Sequence, residues 1–123
     1  MTDIKTVGVI GAGQMGSGIA HVVALGGYDV RLHDVSRERI EAGLALIEKN
    51  LARQVHRGII DESAMSAALA RITAAEDLAL VGATDLAIEA ATENEEIKKS
   101  IFRNLQPHLG ENTLLASNTS SIS

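Results

Sequence analysis

The residues with the clearest chemical potential form a short glycine run, Gly11-Ala12-Gly13-Gln14-Met15-Gly16. A GxGxxG pattern alone is a weak signal. This one ends an apolar, β-branched stretch, Thr6 to Ile10, and opens a stretch of helical periodicity, which is the setting the motif requires. Each glycine then has a task. Gly11 permits the tight turn, Gly13 lets a pyrophosphate approach the backbone, and Gly16 lets the helix pack close to the strand. Exposed amides at the helix start, together with the helix dipole, favour an anion there. Asp34 follows a second apolar stretch, about 20 residues further on, where a carboxylate accepts hydrogen bonds from an adenosine ribose diol. The same charge repels a 2′-phosphate, so NAD is expected in preference to NADP, while Arg31 and Arg37 leave NADP open.

Other candidates are weaker by pattern. Glu93 and Lys98 stand at i and i+5, a poor helical pairing, and spacing alone favours solvated surface charges. They follow a strand, however, and in a doubly wound sheet the carboxyl ends of the strands face the ligand crevice. The polar string Ser117 to Ser121 follows the last strand on the same edge, where hydroxyls and an amide can orient a carboxamide or a reacting oxygen. A Ser/Thr-rich turn explains that string equally well. Lys49, Arg53 and Arg57 form a basic line that could meet phosphates of an acidic substrate, although a solvated amphipathic face is the commoner origin. His21, His33, His56 and His108 are dispersed without metal-ligand spacing, so no metal site is expected.

The elements that must position these residues alternate. A strand over Thr6–Ile10, a helix over Gln14–Leu25 with Met15, Ile19, Val22 and Val23 at helical spacing, a Gly26-Gly27 stop, and a strand over Tyr28–His33 make a βαβ unit. Ser36 caps a long helix to about Gly58, striped by Ile40, Leu44, Ile47, Leu51 and Val55. Asp61 caps a shorter helix to about Arg71. Strands are expected near Arg71–Ala75, Asp85–Ala90 and Thr113–Ala116. Thr92-Glu93-Asn94-Glu95 fits a capping box for a helix carrying Ile97, Ile101, Phe102 and Leu105, ending near Pro107. The fold class is therefore α/β: a Rossmann-like parallel sheet with flanking helices, including a helical hairpin after the second strand.

Composition narrows the function classes. The chain has 123 residues, enough for one domain, with 46% hydrophobic and 22% charged residues. Aromatic residues make up 2% and the formal charge is −5, which disfavours nucleic-acid binding by stacking or by phosphate contacts. With no Cys, disulfide scaffolds, thiolate metal sites and cysteine nucleophiles are excluded. No apolar run approaches the roughly 20 residues of a membrane span, and no signal-peptide pattern opens the chain, so a cytoplasmic protein is expected.

With these residues in place, the chain resembles the N-terminal NAD-binding domain of the 3-hydroxyacyl-CoA dehydrogenases, in the short-chain 3-hydroxybutyryl-CoA branch. The resemblance spans essentially the whole chain. It is carried by VGVIGAGQMGSGIA at Val7–Ala20, by Asp34, by DLAIEAATEN at Asp85–Asn94, and by ASNTSSIS at Ala116–Ser123. It implies that Gly11, Gly13, Gln14, Met15, Gly16, Asp34, Ala90, Glu93, Lys98, Asn118 and Ser120 serve the NAD site. Ser120 matches the family serine that contacts both the nicotinamide side and the 3-oxygen of the substrate, a catalytic position. Asn50 and Arg57 fall near CoA-contacting positions of the helical hairpin without being identical to them.

The family reaction is reversible oxidation of an (S)-3-hydroxyacyl-CoA to the 3-ketoacyl-CoA, with hydride passing to NAD. It needs a base for the hydroxyl proton. The resemblance implies that the family's histidine base, its orienting glutamate, and the helical C-terminal domain through which relatives dimerise fall outside these 123 residues. The chain alone is then expected to bind NAD with little or no turnover. Two other readings stay open: a different NAD(P)-linked 3-hydroxyacid dehydrogenase, and a non-enzymatic, crystallin-like nucleotide-binding protein.

Overall fold

Apolar alternation on the strands builds a sheet with a core on each face. The computed structural model describes residues 3–117. Strand β1 (Thr6–Ile10) runs through the glycine turn into helix α1 (Gln14–Leu25), and β2 (Asp29–His33) returns parallel to β1. Helices α2 (Arg37–His56) and α3 (Glu62–Arg71) form the hairpin. They are followed by β3 (Ile72–Ala74), α4 (Leu78–Gly82), β4 (Leu86–Glu89), α5 (Glu95–Leu105), a 3-10 turn at Gln106–His108, and β5 (Leu114–Ser117). All pairings are parallel and the strand order is β3-β2-β1-β4-β5. This is the doubly wound order, and the Rossmann-like sheet expected from the sequence is the one the chain forms.

Period-2 alternation sends Val7, Val9, Val30 and Leu32 to one face, against Ala20 and Ala24 of α1 and Ile47 and Leu51 of α2. Ile10 and Ala87 point to the other face, against Val81 of α4 and Leu105 of α5. Local chemistry sets the helix starts. The Ser36 hydroxyl accepts from Arg39 N at 3.2 Å, and Asp61 Oδ1 accepts from Ala64 N at 2.8 Å, as their sequence positions predict.

Two expectations need correction, and one short helix was not anticipated. The buried face of α1 is Gly16, Ser17, Ala20, His21 and Ala24, while Met15 is 50% and Val22 69% exposed. Close helix–strand packing selects small side chains there, so the larger apolar residues do not mark the contact. The cap of α5 is Asn94, whose Oδ1 accepts from Ile97 N at 3.0 Å, and the Thr92 hydroxyl instead accepts from Asn94 N at 2.9 Å. The N-cap therefore lies two residues later than the pattern placed it, and no reciprocal box forms, because the third residue of the helix is Ile97, which has no carboxylate to return. Helix α4, five residues capped by Asp77, is too short to leave a readable period.

Asp85 fastens the start of β1 to β4. Its Oδ2 accepts from Lys5 N at 2.8 Å, Thr6 N at 3.0 Å and the Thr6 hydroxyl at 3.2 Å. The Lys5 amide first, and the Thr6 amide next, hold this carboxyl below its ordinary value of 3.8. A lowered folded-state value stabilises the fold above the unfolded value, and that contribution is lost as pH falls through the folded one. Urea unfolding should therefore show a parent-minus-Asp85→Asn stability difference that is constant above about pH 5 and shrinks below about pH 4. A difference that grows on acidification contradicts this.

Candidate functional site

The carboxyl ends of β1, β2 and β4 open onto a cavity of about 700 Å³, inside the usual range of roughly 300–1,000 Å³ for small-molecule sites. Its floor is the glycine turn. Gly11 sits at φ +112°, and a Cβ there would meet the Ala90 and Ala91 backbone at 2.8 Å. A Cβ on Gly16 would fall on the Gly11 carbonyl oxygen. The fold itself therefore demands these two. Gly13 differs: it lines the cavity, its backbone is ordinary extended chain, and a Cβ there would touch nothing within 4 Å. The space beside it is cleft. Helix α1 begins at this point with no side-chain cap and no acidic residue in its first turn, so its positive end suits a diphosphate.

Asp34 stands at the end of β2 on the same cavity. Its Oδ2 accepts from Ala12 N at 2.8 Å and its Oδ1 from Val35 N at 2.6 Å, which fixes the carboxylate beside the glycine turn. An ionised carboxyl has about four lone-pair sites, so each oxygen keeps capacity for a diol hydroxyl. Arg31 donates to Leu80 O and Arg37 to Glu76, so both cations that left NADP open are engaged elsewhere. Arg39, which the sequence reading passed over, is the one cation among the described residues lining the cavity.

The facing wall is Ala90, Ala91, Thr92 and Glu93, with Ile97, Ser100, Ile101 and Asn104 of α5. Gln14 and Met15 also line the cleft. The i, i+3, i+4, i+7 spacing of the α5 residues makes one helix face, of which the sequence pattern picked out only the apolar members Ile97 and Ile101. Ile97, 49% exposed, belongs to the cleft, whereas Leu105 is buried. Lys98 is not the solvated charge that spacing favoured: it is only 4% exposed, and Glu93 alone of the pair lies on the cleft wall. Asn50 and Arg57, on α2 and at its C-terminal end, do not line this cavity. Asn118 and Ser120 lie outside the described residues, beyond β5. No histidine lines the cleft, and no group of three or more potential metal ligands occurs among the described residues.

A doubly wound sheet with an uncapped, glycine-started helix and a carboxylate at the second strand end defines a dinucleotide-binding domain. Residues 6–123 match the family model described as "3-hydroxyacyl-CoA dehydrogenase, NAD binding domain". The chain belongs to that family, and its cofactor is NAD. It is 55% identical over 120 residues to a 3-hydroxybutyryl-CoA dehydrogenase of Bradyrhizobium diazoefficiens, covering 98% of this chain and 41% of the relative. It is 41% identical to a 3-hydroxyadipyl-CoA dehydrogenase of Escherichia coli, covering 100% of this chain and 26% of that protein. The crystal structure of an (S)-3-hydroxybutyryl-CoA dehydrogenase from Ralstonia eutropha superposes with a TM-score of 0.93 at 41% identity, over 98% of this chain and 43% of that one. The chain thus spans well under half the length of these relatives. No helix among the described residues is long and apolar enough to cross a membrane.

Proposed function

We propose that the chain is the cofactor-binding part of an NAD-dependent 3-hydroxyacyl-CoA dehydrogenase acting on a short acyl chain such as 3-hydroxybutyryl-CoA. The observation that carries this reading is one cavity that joins the open space at Gly13, at the uncapped start of α1, to the fixed Asp34 carboxylate. Gly11, Gly13, Gln14 and Met15 line the diphosphate cradle, Gly16 lets α1 close on Gly11 beneath it, and Asp34 takes the adenosine ribose. Ala90 and Glu93 wall the opposite side, and Lys98 supports α5 behind it. When bound, NAD supplies the hydride acceptor for oxidation at C3 of the hydroxyacyl group. Ser120 and Asn118 orient the reacting oxygen and the nicotinamide end, an assignment supported by the family likeness of the ASNTSSIS segment. Asn50 and Arg57, with the basic line on α2, meet the CoA phosphates.

None of the four histidines reaches the cleft, so these residues bind and orient without supplying an imidazole base. A missing general base typically removes about 10²–10⁴ of the rate. The full enzyme is read as cytoplasmic, in keeping with the cysteine-free sequence, and, on the family likeness alone, as a homodimer. The 123-residue chain is expected to bind NADH without oxidising it when acetoacetyl-CoA is added. The same chain extended to the length of its relatives is expected to oxidise NADH with that substrate. Failure of the extended protein with every 3-ketoacyl-CoA offered would contradict the reading.

A further inference from the structure

Glu89, the last residue of β4, is 1% exposed, and its carboxylate is committed to backbone and hydroxyl partners. Oε2 accepts from Ala91 N at 2.7 Å and Thr92 N at 3.0 Å. Oε1 accepts from the Ser117 hydroxyl at 3.1 Å. Burying a carboxylate is costly unless such bonds compensate it, and an apolar residue of similar volume usually fills a core position at no loss. The polar task here is specific. Beyond Glu89 the chain leaves the ladder, and the carboxylate takes the two amides of the turn that walls the cleft. Against that turn rests Gly11, whose missing Cβ would meet the Ala90 and Ala91 backbone. Through Ser117 the same carboxylate ties the end of β4 to the end of β5, its neighbour in the sheet.

Sheet order turns these bonds into a direction. Along the carboxyl edge, β2 is followed by Asp34 and β1 by the glycine turn, while β4 ends at Glu89 and β5 at Ser117. With an adenosine ribose on Asp34 and a diphosphate on the glycine turn, the nicotinamide riboside extends toward the ends of β4 and β5. We propose that Glu89 is a positioning residue for the nicotinamide half of the cleft, bracing the 90–92 turn and registering it against Ser117. This rests on the NAD reading of the cavity given above.

Calorimetric titration of the 123-residue chain with NADH and with ADP-ribose separates this role from general stability. ADP-ribose carries everything except the nicotinamide. Glu89→Ala should weaken NADH at least tenfold and ADP-ribose less than threefold. Glu89→Gln should stay within threefold of the parent for both, since its carbonyl oxygen accepts from the turn amides and its amide donates to Ser117. Ser117→Ala, at an exposed strand end, should weaken NADH a few-fold and leave ADP-ribose unchanged. Should Glu89→Ala not fold, Ser117→Ala decides by the same split. Equal losses for both ligands, or no loss of NADH in either variant, overturn the proposal. A parent that binds neither ligand overturns the NAD reading itself, a result seen before any variant is tested.

Discussion

Gly13→Val is expected to fold like the parent and to lose NADH binding by about 100-fold or more. The first half follows from backbone and space. Gly13 has φ −72° and ψ −166°, at the extended edge of the β region and outside the left-handed region that demands glycine, and its Cβ position is empty. Thermal unfolding should therefore change little. The second half follows because that empty volume lies on the cavity at the start of α1, where a diphosphate must come within hydrogen-bond distance of backbone amides. Branched methyl groups there hold the phosphate off the amides, and losing about 3 kcal/mol of such contacts corresponds to about two orders of magnitude in Kd. Unchanged NADH affinity in a folded Gly13→Val would mean that the cradle lies elsewhere.

The second large effect is expected at Asp34. Hydrogen bonds to a charged acceptor contribute about 1.5–3 kcal/mol each, so Asp34→Ala should weaken NADH by at least about 30-fold. NADPH should respond differently. Removing the carboxylate removes its repulsion of a 2′-phosphate, and Arg39 remains on the same cavity as a cation. The preference for NADH over NADPH should therefore fall toward unity, read by nicotinamide fluorescence titration with both cofactors. Asp34→Ala also frees Ala12 N and Val35 N, so a melting curve belongs beside the titration. Loss of both cofactors in equal proportion, without loss of the preference, would contradict the role given to Asp34.

The parts legible in the sequence are those that local chemistry dictates. The glycine turn, Asp34 and the caps Ser36 and Asp61 each need a particular residue type at a particular backbone position, and each stands where its pattern placed it. What was illegible depends on tertiary contact. Helix α1 buries Gly16, Ser17, Ala20 and Ala24 because the helix lies close on β1, and hydrophobic periodicity points instead to Met15 and Val22. Ile97 and Ile101 carry the same apolar signal, yet Ile101 packs against the second core as well as lining the cleft while Ile97 is half exposed on it, a division that helical spacing alone does not show. Lys98 is buried by its neighbours, which no i, i+5 spacing reveals. Glu89 reads as one more strand residue until the turn beyond it and Ser117 close on its carboxylate.

The most direct test of the central claim is a crystal structure of the chain grown with NAD. The account predicts the diphosphate against the backbone amides at the start of α1, the adenosine ribose hydroxyls on Asp34, and the nicotinamide end toward Glu89 and Ser117. A dinucleotide seated away from the glycine turn, or at the turn with its adenosine ribose off Asp34, would contradict it.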